Sequence, residues 1–214
     1  MPIDPNPLPT PFGRHNKVRL ISPHSSARVG ESTDREYALE IKRDVPHPIQ
    51  SVWHLMTEPE GLAQWAPFDV HQTLNSPIGQ AIIIIQAEAT DTASRQKSAM
   101  AEEESKAQEP PLSLTESEIL ACQPPHLVAF NWGGDHVQFR LTAINPDLTE
   151  VTLTHYVTEP DWLTQVAAGW HICLDVAVMA LDDTSPGRIV GNAAMKYGFA
   201  KLHQQYLQKF TTGR

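Results

Sequence analysis

Four things are scarce in this chain, and each scarcity removes a class of function. Cysteine occurs only as Cys122 and Cys173 among 214 residues. That is too few for a disulfide framework, so two reduced thiols are expected. Long apolar runs are missing as well. The longest unbroken one covers residues 176–181, far short of the roughly 20 residues a membrane span needs. The first thirty residues carry six prolines and nothing resembling the apolar core of a signal peptide. These two absences predict a cytoplasmic protein with no membrane partner.

Positive charge is the third. The formal net charge is −9. Between residues 88 and 109 six acids face three bases, and the remainder of the chain still carries −6. No basic stripe is left for phosphates, which excludes nucleic acid as a partner. The fourth scarcity is of catalytic signatures. G-x-S-x-G, H-E-x-x-H, a P-loop and paired C-x-x-C motifs are all missing. Gly133-Gly134-Asp135 reads as a hairpin turn, not a phosphate cradle. No catalytic residue, metal ligand set or cofactor is assigned.

What is present reads as one core with appendages. Hydrophobic residues make up 41% of the chain, enough for a real interior. Residues 1–33 form a proline-rich leader expected to be mostly disordered, with residues 18–21 as a short strand. From Glu36, apolar Tyr37, Leu39 and Ile41 alternate with other residues as in a half-buried strand. Residues 47–56 follow as a short helix, and Glu58-Pro59-Glu60 opens a second, with proline in its first turn. Residues 68–74 alternate in part, and 80–86 (QAIIIIQ) form a buried strand. A polar insertion occupies about 88–111. Strands are then expected at 112–120, 127–132, 136–144 and 150–157, joined by hairpin turns as in an antiparallel meander.

The longest element is an amphipathic helix expected within 158–184, about 33 Å long at about 1.5 Å per residue. Val166, Trp170, Cys173 and Ala177 fall on one face. His171 and Asp175 gather on the opposite side, pointing to solvent or to the tail. Residues 185–214 read as a helical extension, broken at Gly198, that folds back on the 34–184 domain.

The wording of several segments carries a family resemblance. They are PIQSVWHLMTEPEGLAQW (48–65), PFDV (67–70), PHLVAFNWG (125–133) and AGWHICLD (168–175), with GRIVG (187–191) and Tyr197-Gly198 in the tail. Together they resemble the SRPBCC (START-like, Bet v 1-like) superfamily, in the branch related to the C-terminal domain of activators of Hsp90 ATPase. The resemblance covers about residues 36–210. It implies an α+β helix-grip fold: a curved antiparallel sheet wrapped around a long C-terminal helix, with two short helices after the first strand. The insertion at 88–111 departs from the family's compact pattern. Superfamily members include lipid and hormone carriers, aromatases and cyclases, and co-chaperone domains. No single catalytic set unites them, so none is carried over.

Such a fold encloses a space whose filling decides function. Ala167-Ala168-Gly169 lacks bulk: either another element approaches closely there, or a ligand has room. His155 shares its strand face with Val151, Leu153 and Val157 and so points at the helix, as a structural histidine or as a contact to a ligand. Trp53, Trp65, Phe68, Phe139, His155, Val166 and Trp170 are the candidate ligand-binding residues, with Trp65 expected at the cavity mouth. The leading expectation is non-catalytic binding of a small apolar or amphipathic ligand. A second is a protein-interaction role, with a protein partner or a homodimer, akin to the Hsp90-activator domain; the chain leaves no room for the separate N-terminal domain of full activators. A third is an aromatase- or cyclase-like enzyme using His155.

Overall fold

The computed structural model describes residues 16–21, 37–86, 114–157 and 159–212. The leader lies outside the described residues except for 16–21, and the insertion expected at 88–111 lies wholly outside them. Eight strands form one antiparallel sheet: β1 (Asn16–Ile21), β2 (Tyr37–Val45), β3 (Phe68–Val70), β4 (Ala81–Gln86), β5 (Leu114–Gln123), β6 (Leu127–Trp132), β7 (Asp135–Asn145) and β8 (Leu148–Val157). Their order is β1-β2-β8-β7-β6-β5-β4-β3. Two short helices, α1 (Ile49–Thr57) and α2 (Pro59–Leu62), connect β2 to β3. The long helix α3 (Leu163–Leu181) follows β8, and α4 (Asn192–Lys196) and α5 (Phe199–Thr212) complete the chain. This is the helix-grip architecture.

Strand parity explains how the interior is assembled, because alternate side chains point to one face. On β8, Val151, Leu153 and His155 lie opposite Leu141, Phe139 and Val137 of β7. The same three lie opposite Arg43, Ile41 and Leu39 of β2. All except Arg43 and His155 are apolar core residues. The apolar spacing of β2 therefore carries one cation, Arg43, into the interior.

The long helix differs from expectation at its start. The α-helix begins at Leu163, after a 3₁₀ turn at Pro160–Trp162, and Trp162 in the N-cap position makes no side-chain cap bond. By length and composition the segment Pro160–Leu181 is apolar enough to cross a bilayer, but most of it is buried inside the fold. It is the core helix of the domain. One side meets the sheet and the other is covered by α5, where Tyr206 is fully buried. Leading into α4, Arg188 holds the chain to β3 through Asp69, with Nη1 2.7 Å from Oδ2.

Candidate functional site

The β6–β7 hairpin turns through Gly133 and Gly134, both with positive φ (58° and 88°). Such a two-residue turn matches the twist of its strands and suits glycine. It sets Trp132 directly opposite Asp135, beside the Phe130–Val137 pair. Val137 in turn lies opposite His155. Trp132, Asp135 and His155 thus meet at one end of the sheet's inner face, where the helix supplies Trp170.

A hydrogen-bonded chain links these side chains. The Trp170 indole N–H donates to His155 Nδ1 at 2.9 Å. An indole can only donate, so Nδ1 accepts and the ring proton sits on Nε2. That nitrogen lies 3.0 Å from Asp135 Oδ2, to which it donates. His155 is almost fully buried (3% exposed), and both of its ring nitrogens are engaged. The Trp132 ring stacks obliquely on His155, 5.8 Å between centroids, and meets Trp170 at 5.9 Å.

Beside this chain lies a cavity of about 690 Å³. One wall is the face of α3 that carries Val166, Gly169, Trp170 and Cys173, with Trp162 at the rim. The spacing places all of them on one side of the helix. A second wall is the end of the sheet, with Trp132, Asp135, His155, Val157 and Glu159. The third is the chain from Ile189 through Met195 to Phe199. Burial pushes the Cys173 thiol up to about 12, which keeps it protonated and a poor nucleophile. A Cβ built on Gly169 would meet nothing within 4 Å. Among the described residues no other element approaches there; the helix is small at this point beside open space.

The seven candidate residues separate into two layers. His155, Val166 and Trp170 line the cavity. Trp65, Phe68 and Phe139 do not; they stand behind Trp170, with ring centroids 6.3, 6.5 and 6.1 Å from it. Trp65 is fully buried rather than at a mouth, its indole N–H donating to the Leu55 carbonyl at 3.1 Å. Trp53 is likewise part of the core cluster and does not line this cavity. These aromatics fill space because α1 and α2 lie over that part of the sheet, leaving the opening at the hairpin end.

Sequence reasoning passed over Asp135, Glu159, Trp162 and the 189–199 segment. Asp135 had a readable signal, since it continues the inward parity of Val137, Phe139 and Leu141. The turn glycines beside it masked that signal. The 189–199 segment has none, because its position depends on how the tail is anchored.

On the far side of α3, His171 and Asp175 form a separate cluster, both buried. Asp175 pairs with the Arg43 guanidinium and lies 3.6 Å from His171 Nε2. His171 Nδ1 is 2.9 Å from the Tyr206 hydroxyl. Of the two surroundings expected for this face, the structure has the tail. Burial lowers Arg43 to about 10 and raises the Tyr206 phenol well above its ordinary value. Among the described residues, no group of His, Cys, Asp and Glu side chains is arranged to hold a metal ion.

Residues 46–177 match the family described as Activator of Hsp90 ATPase homolog 1-like protein. The chain belongs to that family. Its resemblance to this branch of the SRPBCC superfamily, read from four segments, is thereby established. No curated protein matches the chain. Among solved structures, CalU16 from Micromonospora echinospora is 18% identical, covering 93% of this chain and 98% of its own, with a TM-score of 0.56. The protein encoded by BPP1335 from Bordetella parapertussis is 20% identical over 86% of this chain and 89% of its own, TM-score 0.56. EF2215 from Enterococcus faecalis, a conserved protein of unknown function, is 16% identical over 82% and 85%, TM-score 0.55. At these identities the likeness is one of fold, and it agrees with the helix-grip architecture.

Proposed function

We propose that this Hsp90-activator-like domain binds a small apolar or amphipathic ligand in the cavity beside Trp170, without catalysing its conversion. The observation that carries the reading is the open space facing Gly169 on the core helix. Fully buried rings such as Trp65, Phe68, Phe130 and Phe139 fill the neighbouring interior, while this stretch of helix leaves room of the size that small-molecule sites use. The surrounding indoles offer apolar faces to a planar ligand. The non-catalytic part of the reading is supported by His155, whose two nitrogens are taken by Trp170 and Asp135. Acting as a general base would require breaking one of those bonds. Two free thiols support a reducing, cytoplasmic setting.

Native mass spectrometry of freshly purified protein tests the reading, paired with Gly169→Phe, which places a ring in the cavity. A small molecule retained by the wild type and lost from the variant is the expected result. Equal retention by both would place the ligand elsewhere and overturn it. The family match favours a second reading, a protein-interaction role like that in the family's name. Stimulation of a chaperone ATPase by wild type and Gly169→Phe alike would favour that reading, because a surface role does not need the cavity.

A further inference from the structure

The polar groups around the cavity are unequal in kind. No lysine or arginine is among the described residues that line it, whereas Asp135 and Glu159 both do. Each carboxylate is held by a neighbour in the wall. Asp135 accepts from His155 Nε2 at 3.0 Å, and Glu159 Oε2 accepts from the Trp162 indole N–H at 3.1 Å. Of the other polar side chains in the wall, Asn192 is uncharged and His155 spends its Nδ1 on Trp170, so the imidazole has no proton to donate inward. The acidic side chains at this end therefore offer acceptors and negative charge. The walls between them include the indoles of Trp132 and Trp170, with Trp162 at the rim, more than half exposed.

Two features oppose this polarity. The Arg188 guanidinium acts on the Cys173 thiol from outside the lining, but it is paired with Asp69. The second is the helix terminus. The core helix starts at the cavity rim, and a helix N-terminus carries roughly half a positive charge. Glu159, the N-cap residue of the 3₁₀ turn, and Asp161 within that turn place two negative charges at the terminus, which more than offsets it.

We infer that the cavity selects ligands with a planar apolar body and a protonated amine, and disfavours carboxylates and phosphates. A cation that reaches the face of an indole is attracted by its π electrons, the more so where it is partly removed from water. Asp135 and Glu159 complete the recognition as hydrogen-bond acceptors for an ammonium. This inference rests on the cavity reading above and adds the charge class of the ligand.

Three probes sharing one ring system test it: 1-naphthylmethylamine, 1-naphthylmethanol and 1-naphthylacetate, measured by equilibrium dialysis near physiological ionic strength. The amine is expected to bind about tenfold more tightly than the carboxylate, with the alcohol between, a gap on the scale of cation–π and half-screened charge contacts. Glu159→Gln should narrow the gap several-fold. Asp147→Asn, an acid in the exposed β7–β8 turn, should leave it unchanged and so separates the site from the general pull of an acidic protein. Equal narrowing by both variants would reduce the preference to that general pull and overturn the inference. Three probes bound equally, and all expelled by Gly169→Phe, would overturn the charge preference while the cavity reading stands. Probe binding that Gly169→Phe leaves untouched would overturn the cavity reading itself.

Discussion

A histidine–aspartate pair lies on each of two sides of the core helix, one on strands β7 and β8 and one on the helix itself, and the two differ in what lies next to them. On one side Asp135, His155 and Trp170 border a cavity of about 690 Å³. On the other, Arg43, His171, Asp175 and Tyr206 are sealed between β2, α3 and α5. The residue types are nearly the same, yet one group has space beside it and the other does not. Polar side chains become a candidate site through the neighbouring volume; without it they tie elements together. In the sealed cluster, a strand, the core helix and the C-terminal helix are joined by charge and hydrogen bonds in a setting that leaves little water to replace a lost partner.

The contrast can be broken first at the sealed cluster. Arg43→Met leaves the Asp175 carboxylate buried without its guanidinium, and a loss of about 3–5 kcal/mol is expected. Arg43→Met combined with Asp175→Leu should recover much of it, since an apolar pair of similar volume avoids the buried charge. Urea unfolding of the three proteins measures both. A single variant as stable as wild type would mean that water reaches Asp175 and the cluster is not sealed.

A smaller effect is expected on the cavity side. Trp170→Phe removes the donor to His155 Nδ1, at a cost of about 2 kcal/mol for the orphaned acceptor and the smaller ring. Water entering from the cavity can partly satisfy that nitrogen. A loss equal to that of Arg43→Met in the same urea series would erase the distinction between the two sides.

The smallest effect has the opposite sign. Gly169→Ala adds a Cβ that meets nothing and removes a glycine from a helix interior, so a gain of about 0.5–1 kcal/mol is expected. Thermal unfolding reads it directly. Destabilisation would show that another element does approach Gly169, and the cavity would lose its main support.

Much of the fold was legible in the chain. The alternation in β2, β7 and β8, the proline that opens α2 and the amphipathic core helix each reflect local periodicity, which one sequence carries in full. The inward direction of His155 was legible for the same reason. Arg43 and Asp135 were equally available from parity, but a charged residue interrupts the apolar alternation at one and a Gly-Gly turn disguises the other. Ala167-Ala168-Gly169 marked a place where the helix is small without saying what faced it. Trp65, Phe68 and Phe139 have the composition of pocket walls and serve as core, because aromatic rings fit either use.

Sequence by itself determined which side of each strand and helix is apolar, and with it the helix-grip architecture, since those patterns depend on residues a few positions apart. Only the tertiary structure decided which aromatic residues face open space. It decided that His171 and Asp175 lie under the tail, and that residues 189–199 wall the cavity. Those outcomes depend on where distant segments come to rest, such as Tyr206 against α3 and Arg188 against Asp69. No periodicity records how much volume such contacts leave between them.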